Sequence, residues 1–222
     1  MLSVIIPTLN AAASLPASLA SLADGTPGEI IVSDGGSSDG TTDVAAAAGC
    51  RVFAGARGRG AQLKAGADAA RGDWFLFLHA DTCLEAGWAA TVRSFCAEPA
   101  NARRAGYFRF ALADTAPAAR RLESIVAWRC GTLGLPYGDQ GLLIHAAAYR
   151  ALGGFAAVPL MEDVELVRRI GRANLVALSA RAVTSAARYR REGYWLRPLR
   201  NLLCLGLYFA GVAPARLARF YG

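Results

Sequence analysis

Three side chains in the sequence stand where chemistry could be done. Asp34 closes the apolar run Glu29–Ser33 and opens the turn-rich segment Asp34-Gly35-Gly36-Ser37-Ser38-Asp39-Gly40-Thr41. A carboxylate there can accept hydrogen bonds from a base N–H or a ribose hydroxyl. It can equally organise the turn, with Ser37, Ser38 and Thr41 capping the next helix; for Asp39-Gly40 the turn reading is preferred. His79 and Asp81 stand at the end of the apolar run Trp74–His79. Alternate residues of an extended chain share a side, so both can face one divalent cation and the phosphates it bridges. The competing role for Asp81 is a helix N-cap. A carboxylate ending so apolar a strand is costly unless a cation, a donor set or solvent compensates it.

These residues need a scaffold, and the chain supplies short apolar runs alternating with helix-like stretches, the pattern of an α/β protein with a mainly parallel sheet. Strands are expected at Leu2–Pro7, Glu29–Ser33, Arg51–Ala54 and Trp74–His79, each followed by a helix, with polar residues gathered at strand C-termini, where open α/β sheets bind ligands. Beyond Asp81 the regularity weakens. Helices near Gly87–Ala97, Ala118–Gly131 and Met161–Ile170, with strands near Gly106–Leu112 and Gly141–His145, predict a second half of mixed strand direction.

The first strand runs into Pro7-Thr8-Leu9-Asn10 rather than a glycine-rich turn, which disfavours a Rossmann dehydrogenase. It also disfavours a sugar-nucleotide nucleotidyltransferase, which needs a Gly-rich basic loop there. Gly58-Arg59-Gly60 follows the third strand and is a weak signal alone. On the residues alone, Glu162 and Asp163 read as the capped start of a helix, where free N–H groups and the dipole favour carboxylates.

Four segments together carry more. Val-Ile-Ile-Pro-Thr-Leu-Asn at the N-terminus, Ile-Ile-Val-Ser-Asp-Gly-Gly-Ser-Ser-Asp-Gly-Thr, Gly-Asp-Trp-Phe-Leu-Phe-Leu-His-Ala-Asp-Thr and Met-Glu-Asp-Val-Glu-Leu, in that order over residues 1 to 170, closely resemble the family 2 glycosyltransferases of the GT-A fold. The resemblance implies a nucleotide-sugar donor, usually a UDP-sugar, Mn²⁺ or Mg²⁺, and an inverting single displacement. It makes Pro7, Thr8 and Asn10 the nucleotide-contacting strand end and Asp34 the base- and ribose-reading acid. Arg59 and Gly60 become the loop beside the nucleotide, Asp81 the metal-binding member of Asp-x-Asp, and Asp163 the catalytic base. Glu162 would orient that base or bind acceptor.

His79 departs from the family pattern, where an Asp is usual. An imidazole removes one negative charge and shifts preference from Mg²⁺ towards Mn²⁺, or it serves as a hydrogen bonder only. The Leu-His-Ala-Asp-Thr form is similar to a small bacterial branch, some members of which are named for arsenosugar biosynthesis. Asp139 and Gln140, in the glycine-flanked Tyr137–Gly141, are acceptor-site candidates or parts of a structural turn; His145 is taken as structural. A non-catalytic lipid- or partner-binding protein that has kept the fold is the rival from another class.

Charge divides the chain near residue 188. Residues 188–222 hold seven arginines and one acid, Glu192, whereas residues 1–187 are close to neutral, which argues against a nucleic-acid partner. A GT-A domain over 1–187 and a basic, apolar helical tail over 188–222 are therefore expected. In the tail Arg188-Tyr189-Arg190-Arg191 falls where a basic segment would face a donor diphosphate. Residues 196–221, with Trp195 before them and Tyr208 and Phe220 among the arginines, read as a peripheral membrane contact or as a helix packed on the domain itself or on a second copy in a homodimer. Five cysteines without metal or disulfide spacing, and an N-terminus without a basic leader, lead us to expect a cytoplasmic protein, with membrane association on that face. The acceptor is expected to be a small molecule or lipid-linked.

Overall fold

The computed structural model describes residues 1–221, with side chains through Arg219. The side chains of Phe220 and Tyr221 and all of Gly222, part of the expected interfacial tail, lie outside the described residues. The first half alternates strand and helix as expected through Trp74–Phe77, which runs into a further strand, Thr82–Leu84, where a helix was expected. Strands β1 (Leu2–Thr8), β2 (Glu29–Asp34), β3 (Arg51–Ala54) and β4 (Trp74–Phe77) alternate with helices α1 (Leu15–Ser21), α2 (Thr41–Ala47) and α3 (Arg59–Ala69). All four strands are parallel, in the spatial order β3-β2-β1-β4. β1 is buried on both faces, and the two-residue period of a strand sends Val4 and Ile6 into one apolar layer and Ile5 into the other. Likewise Leu76 and Leu78 join the layer that holds Trp88, while Phe75 and Phe77 pack with Leu63 and Ala67 of α3.

The second half contains β5 (Thr82–Leu84), α4 (Trp88–Ala97), β6 (Ala105–Leu112), α5 (Pro117–Leu133), β7 (Leu142–His145), α6 (Ala146–Ala151), α7 (Glu162–Ile170) and β8 (Leu175–Thr184). These strands extend the sheet to β3-β2-β1-β4-β7-β6-β8-β5, with β7 antiparallel to both neighbours and β8 parallel to β6. The mixed direction was expected; strands β5 and β8 were not. α8 (Ala187–Glu192), α9 (Leu196–Phe209) and α10 (Pro214–Tyr221) complete the chain. His145 is the N-cap of α6, its Nδ1 accepting from the Ala147 N–H at 3.2 Å, which is a structural role.

β4 stops at Phe77, two residues short of the expected end, so His79 and Asp81 lie on the link to β5. From Phe77 to Thr82 that link can span at most ~17 Å, whereas β5 lies four strand steps from β4, ~19 Å in a flat sheet. The sheet must curl to close this distance, and the linking segment crosses the inside of the curl.

Candidate active site

A cavity of ≈ 140 Å³ opens at this crossing, lined by Arg59, His79, Asp81, Tyr137, Asp139 and Asp163 together with residues of β8 and the C-terminal helices. Residues far apart in sequence meet because the ends of β4, α3, α7 and β8 converge. Asp81 is half-buried, and its carboxylate makes no hydrogen bond or ion pair among the described residues; its backbone C=O accepts from the Ser185 N–H at 3.1 Å, tying the segment to the end of β8. His79 is neutral: burial, then the charges of Arg59 and Arg188, hold its imidazole well below its usual value.

Asp163 sits in the first turn of α7. Its Oδ2 accepts from the Gly138 N–H at 2.8 Å and its Oδ1 from the Val164 N–H at 2.7 Å, which fixes the carboxylate against the cavity. Gly138 fills the space between His79 and Asp163. A Cβ there would lie 2.6 Å from His79 Nε2 and 3.4 Å from Asp163 Oδ2, so no larger residue fits without moving the imidazole. The residue before α7, Met161, takes the left-handed conformation at φ 66, uncommon for a side chain of this size.

Asp139 lines the same cavity, with one carboxylate oxygen buried and unpartnered. Burial pushes its carboxyl up to about 6 despite Arg129, and the negative charges of Asp163 and Asp81 add to the rise. Thr184 at the end of β8 pins the loop by donating to the Asp139 carbonyl at 3.2 Å. Clustered carboxylates with an orphaned oxygen and an unpaired Asp81 are a donor set suited to a hard divalent cation. Asp81 would hold it, with the His79 imidazole alongside. No group of three or more His, Cys, Asp or Glu converges on one point among the described residues, so substrate oxygens would have to complete the coordination.

Other expected site residues are placed differently. Gln140 is 1% exposed and absent from the cavity wall. Its Oε1 accepts from Arg129 and from the Tyr137 N–H, both at 3.2 Å, and its Nε2 donates to the Phe108 carbonyl at 3.1 Å, so the structure uses it as a bolt rather than an acceptor contact. Glu162, also 1% exposed, lies 3.1 Å from Arg59. Burial and Asp163 raise its carboxyl, and Arg59 opposes them. Gly60 packs α3 on the 156–158 segment, where a Cβ would come within 2.3 Å of the Ala156 carbonyl.

At the ends of β1 and β2, Asp34 is 2% exposed and its oxygens are already occupied. It accepts from Thr8 Oγ1 at 2.8 Å, from the Gly36 and Ser37 N–H groups at 2.9 and 2.7 Å, and from the Ser37 hydroxyl. Burial works to raise this carboxyl, but those donors outweigh it and hold it below its usual value. In this structure the turn role prevails over an open ribose-reading one. Asn10, at φ 51, accepts from the Ser38 N–H at 2.9 Å and staples the loop after β1 to the loop after β2. Asp39 does the same through the Ala12 N–H at 3.0 Å. Pro7 pairs with Ser33 in the β1–β2 register, one step before Thr8 meets Asp34.

Four residues went unnoticed in the sequence. Gln62 of α3 donates to the Thr8 carbonyl at 2.6 Å and the Ser33 carbonyl at 2.8 Å, bolting the two strand ends; a lone amide in the stripe Leu63, Gly66, Ala67 was its signal. Arg129 of α5 stacks on the Tyr137 ring at 3.5 Å and donates to the Leu135 carbonyl, shaping the loop that carries Asp139. Arg197 and Asn201 of α9 line the cavity with Arg188 and Tyr189, so the expected division at residue 188 cuts through the wall of the site.

The parallel β-half, the mixed second half and polar strand ends define the GT-A architecture of nucleotide-diphospho-sugar transferases. Residues 3–103 match the model of glycosyl transferase family 2. A PGL/p-HBAD biosynthesis glycosyltransferase of Mycobacterium tuberculosis is 42% identical over 44% of this chain. The chain spans 42% of the length of that relative. Among solved structures, glucosyl-3-phosphoglycerate synthase from Mycobacterium tuberculosis with Mn²⁺, UDP and glucosyl-3-phosphoglycerate superimposes with a TM-score of 0.55 at 20% identity, covering 83% of this chain and 70% of that one. S. aureus TarS 1-349 in complex with UDP gives 0.65 at 18% identity, covering 83% and 61%. These likenesses establish the fold.

Proposed function

We propose that the protein is an inverting glycosyltransferase that moves a sugar from a nucleotide-diphosphate sugar, a UDP-sugar by preference, to an acceptor hydroxyl. The observation that carries this reading is the convergence of Asp81, Asp163 and Arg59 on one cavity at the C-terminal ends of the parallel strands. Mn²⁺ and UDP in the structural neighbours support it.

Asp163 takes the proton from the acceptor hydroxyl. The freed oxygen attacks the anomeric carbon from the face opposite the diphosphate, the bond to the diphosphate oxygen breaks, and UDP leaves with that electron pair. The two N–H donors on Asp163 keep the carboxylate aimed at the reacting hydroxyl. Arg59 and Arg188 supply positive charge to the departing diphosphate. Asp81, with His79 alongside, would hold Mn²⁺ or Mg²⁺, which supplies charge neutralisation for the leaving group. Asp139 faces the donor sugar or acceptor, while Gln140, Glu162 and Asp34 hold the loops in place. Tail residues Arg197 and Asn201 complete the site, so residues 1–187 alone lack one wall.

The test is turnover of UDP-sugars by the full chain with Asp163→Asn alongside. Release of UDP by the parent and its loss in the variant, with UDP binding retained, is the expected result; equal turnover removes Asp163 from the mechanism.

A further inference from the structure

Helix α9 is built inside out. Its inward side carries Arg197 and Asn201 into the cavity beside buried Cys204 and Leu205. Its outward side presents Leu196, Leu199, Leu202, Leu203 and Phe209, which are 49% to 71% exposed. A helix of a water-soluble domain does the reverse. The apolar surface continues onto α5. Ile125 lines one surface groove with Trp195 and Pro198, and Leu135 just beyond α5 shares an apolar cluster with Leu205, so the apolar surface of α9 adjoins α5. Trp128 of α5 and Trp195 are 61% and 70% exposed.

Arginine dominates the charge around this surface, and the acids beside it, Glu192 and Asp114, are already paired with arginine. Residues 193–222 contain no Asp or Glu. Arg121 borders the groove, exposed and without an ion pair among the described residues. Exposed Arg168 lies 5.1 Å over the Phe209 ring, and exposed Arg172 bonds the Gly131 carbonyl at the end of α5. Arg216 follows on α10, also exposed. A second copy on a two-fold axis would set this surface against itself, arginine facing arginine with the acids beside it already paired. An anionic bilayer meets both features: leucines and tryptophans enter the headgroup boundary while long arginine side chains reach the phosphates.

We infer that the α5–α9 surface is a docking face for an anionic phospholipid bilayer. The helix that closes one wall of the site then lies on the membrane with its other side. No helix among the described residues is long and apolar enough to cross a membrane, so the contact is interfacial.

The test is sedimentation of the full chain with phosphatidylcholine vesicles, neutral or with about a third phosphatidylglycerol, at low and high salt. The assay contains no nucleotide, so its outcome is separate from the glycosyl-transfer reading. Expected is binding at least ~10-fold tighter to anionic vesicles and weakened by salt. Leu199→Gln with Leu202→Gln should weaken it ~10-fold or more. Arg121→Glu, on an exposed helix position that cannot disturb the core, should weaken it ~5-fold or more. Unchanged circular dichroism and melting keep the comparison valid. Absence of vesicle binding, or binding indifferent to lipid charge and to these variants, overturns the proposal. A discrete dimer in light scattering that the leucine variants dissolve, without vesicle binding, overturns it in favour of a second copy.

Discussion

The Arg59 guanidinium lies 3.1 Å from a Glu162 carboxylate that is 1% exposed, and this pair ties the start of α3 to the residue preceding Asp163. It fixes the cavity's cationic wall against the edge that carries Asp163. Arg59→Ala should leave a buried carboxylate without its cation and cost about 1–3 kcal/mol in urea unfolding at pH 7. Burial and Asp163 already raise the folded Glu162 carboxyl above its unfolded value of 4.5, so the contribution of this group is fully present below 4.5 and is lost as pH rises. The deficit of Arg59→Ala should therefore shrink towards pH 4, and adding Glu162→Gln should recover most of it at pH 7. A deficit independent of pH would mean that packing, not charge, is what Arg59 provides.

Asp139 offers a second titration. Its folded carboxyl, near 6 against 3.8 unfolded, contributes most below 3.8, and stability is lost as pH rises through 6. In metal-free buffer Asp139→Asn should stabilise the protein by about 2–3 kcal/mol at pH 7.5 and leave it unchanged at pH 3.5. Calorimetry at the two pH values checks this. A variant less stable at pH 7.5 would show that the carboxylate is satisfied as it stands.

Asp163→Asn keeps the side-chain shape but leaves one oxygen to accept where two now accept from Gly138 and Val164. We expect a stability loss of about 1 kcal/mol, a fall of ~10²–10⁴ in turnover and UDP affinity within a few-fold of the parent. Isothermal titration and UDP-release kinetics separate these.

Gly138→Ala would put a Cβ 2.6 Å from His79 Nε2. The imidazole must swing, so UDP affinity in Mn²⁺ should fall while affinity in EDTA holds, if His79 stands at the cation. Equal loss in both buffers would make His79 a structural neighbour instead.

The sequence made the parallel half legible because Leu2–Thr8, Glu29–Asp34 and Trp74–Phe77 are continuous apolar runs punctuated by turn residues. β8 escaped although it alternates strictly, Leu178, Ala180 and Ala182 inward, Ser179 and Arg181 outward. Alanine has little β preference, and its small side chain carries little hydrophobic contrast. The pair His79 and Asp81 and the base candidate Asp163 were visible as local motifs. For Gln140 and Glu162 the residue types left an acceptor role and a structural role open, and their burial and bonds, to Arg129 and Phe108 for Gln140 and to Arg59 for Glu162, depend on tertiary packing that no local pattern shows. The reach of Arg197 and Asn201 into the cavity depends on how α9 folds back, which no local pattern encodes. Asp34 was legible as a special carboxylate, but not that four donors from its own neighbourhood would saturate it.

The Asp81–Asp163 cavity is expected to take a nucleoside diphosphate with a divalent cation. Thermal unfolding with UDP, GDP, dTDP, CDP or NAD, each with and without Mn²⁺, tests it most directly, since ligand at ~100 times its Kd adds about 2.7 kcal/mol. The expected result is an upward shift with UDP that requires Mn²⁺ and disappears in Asp81→Ala. No shift with any nucleotide, or an equal shift in Asp81→Ala, would contradict it.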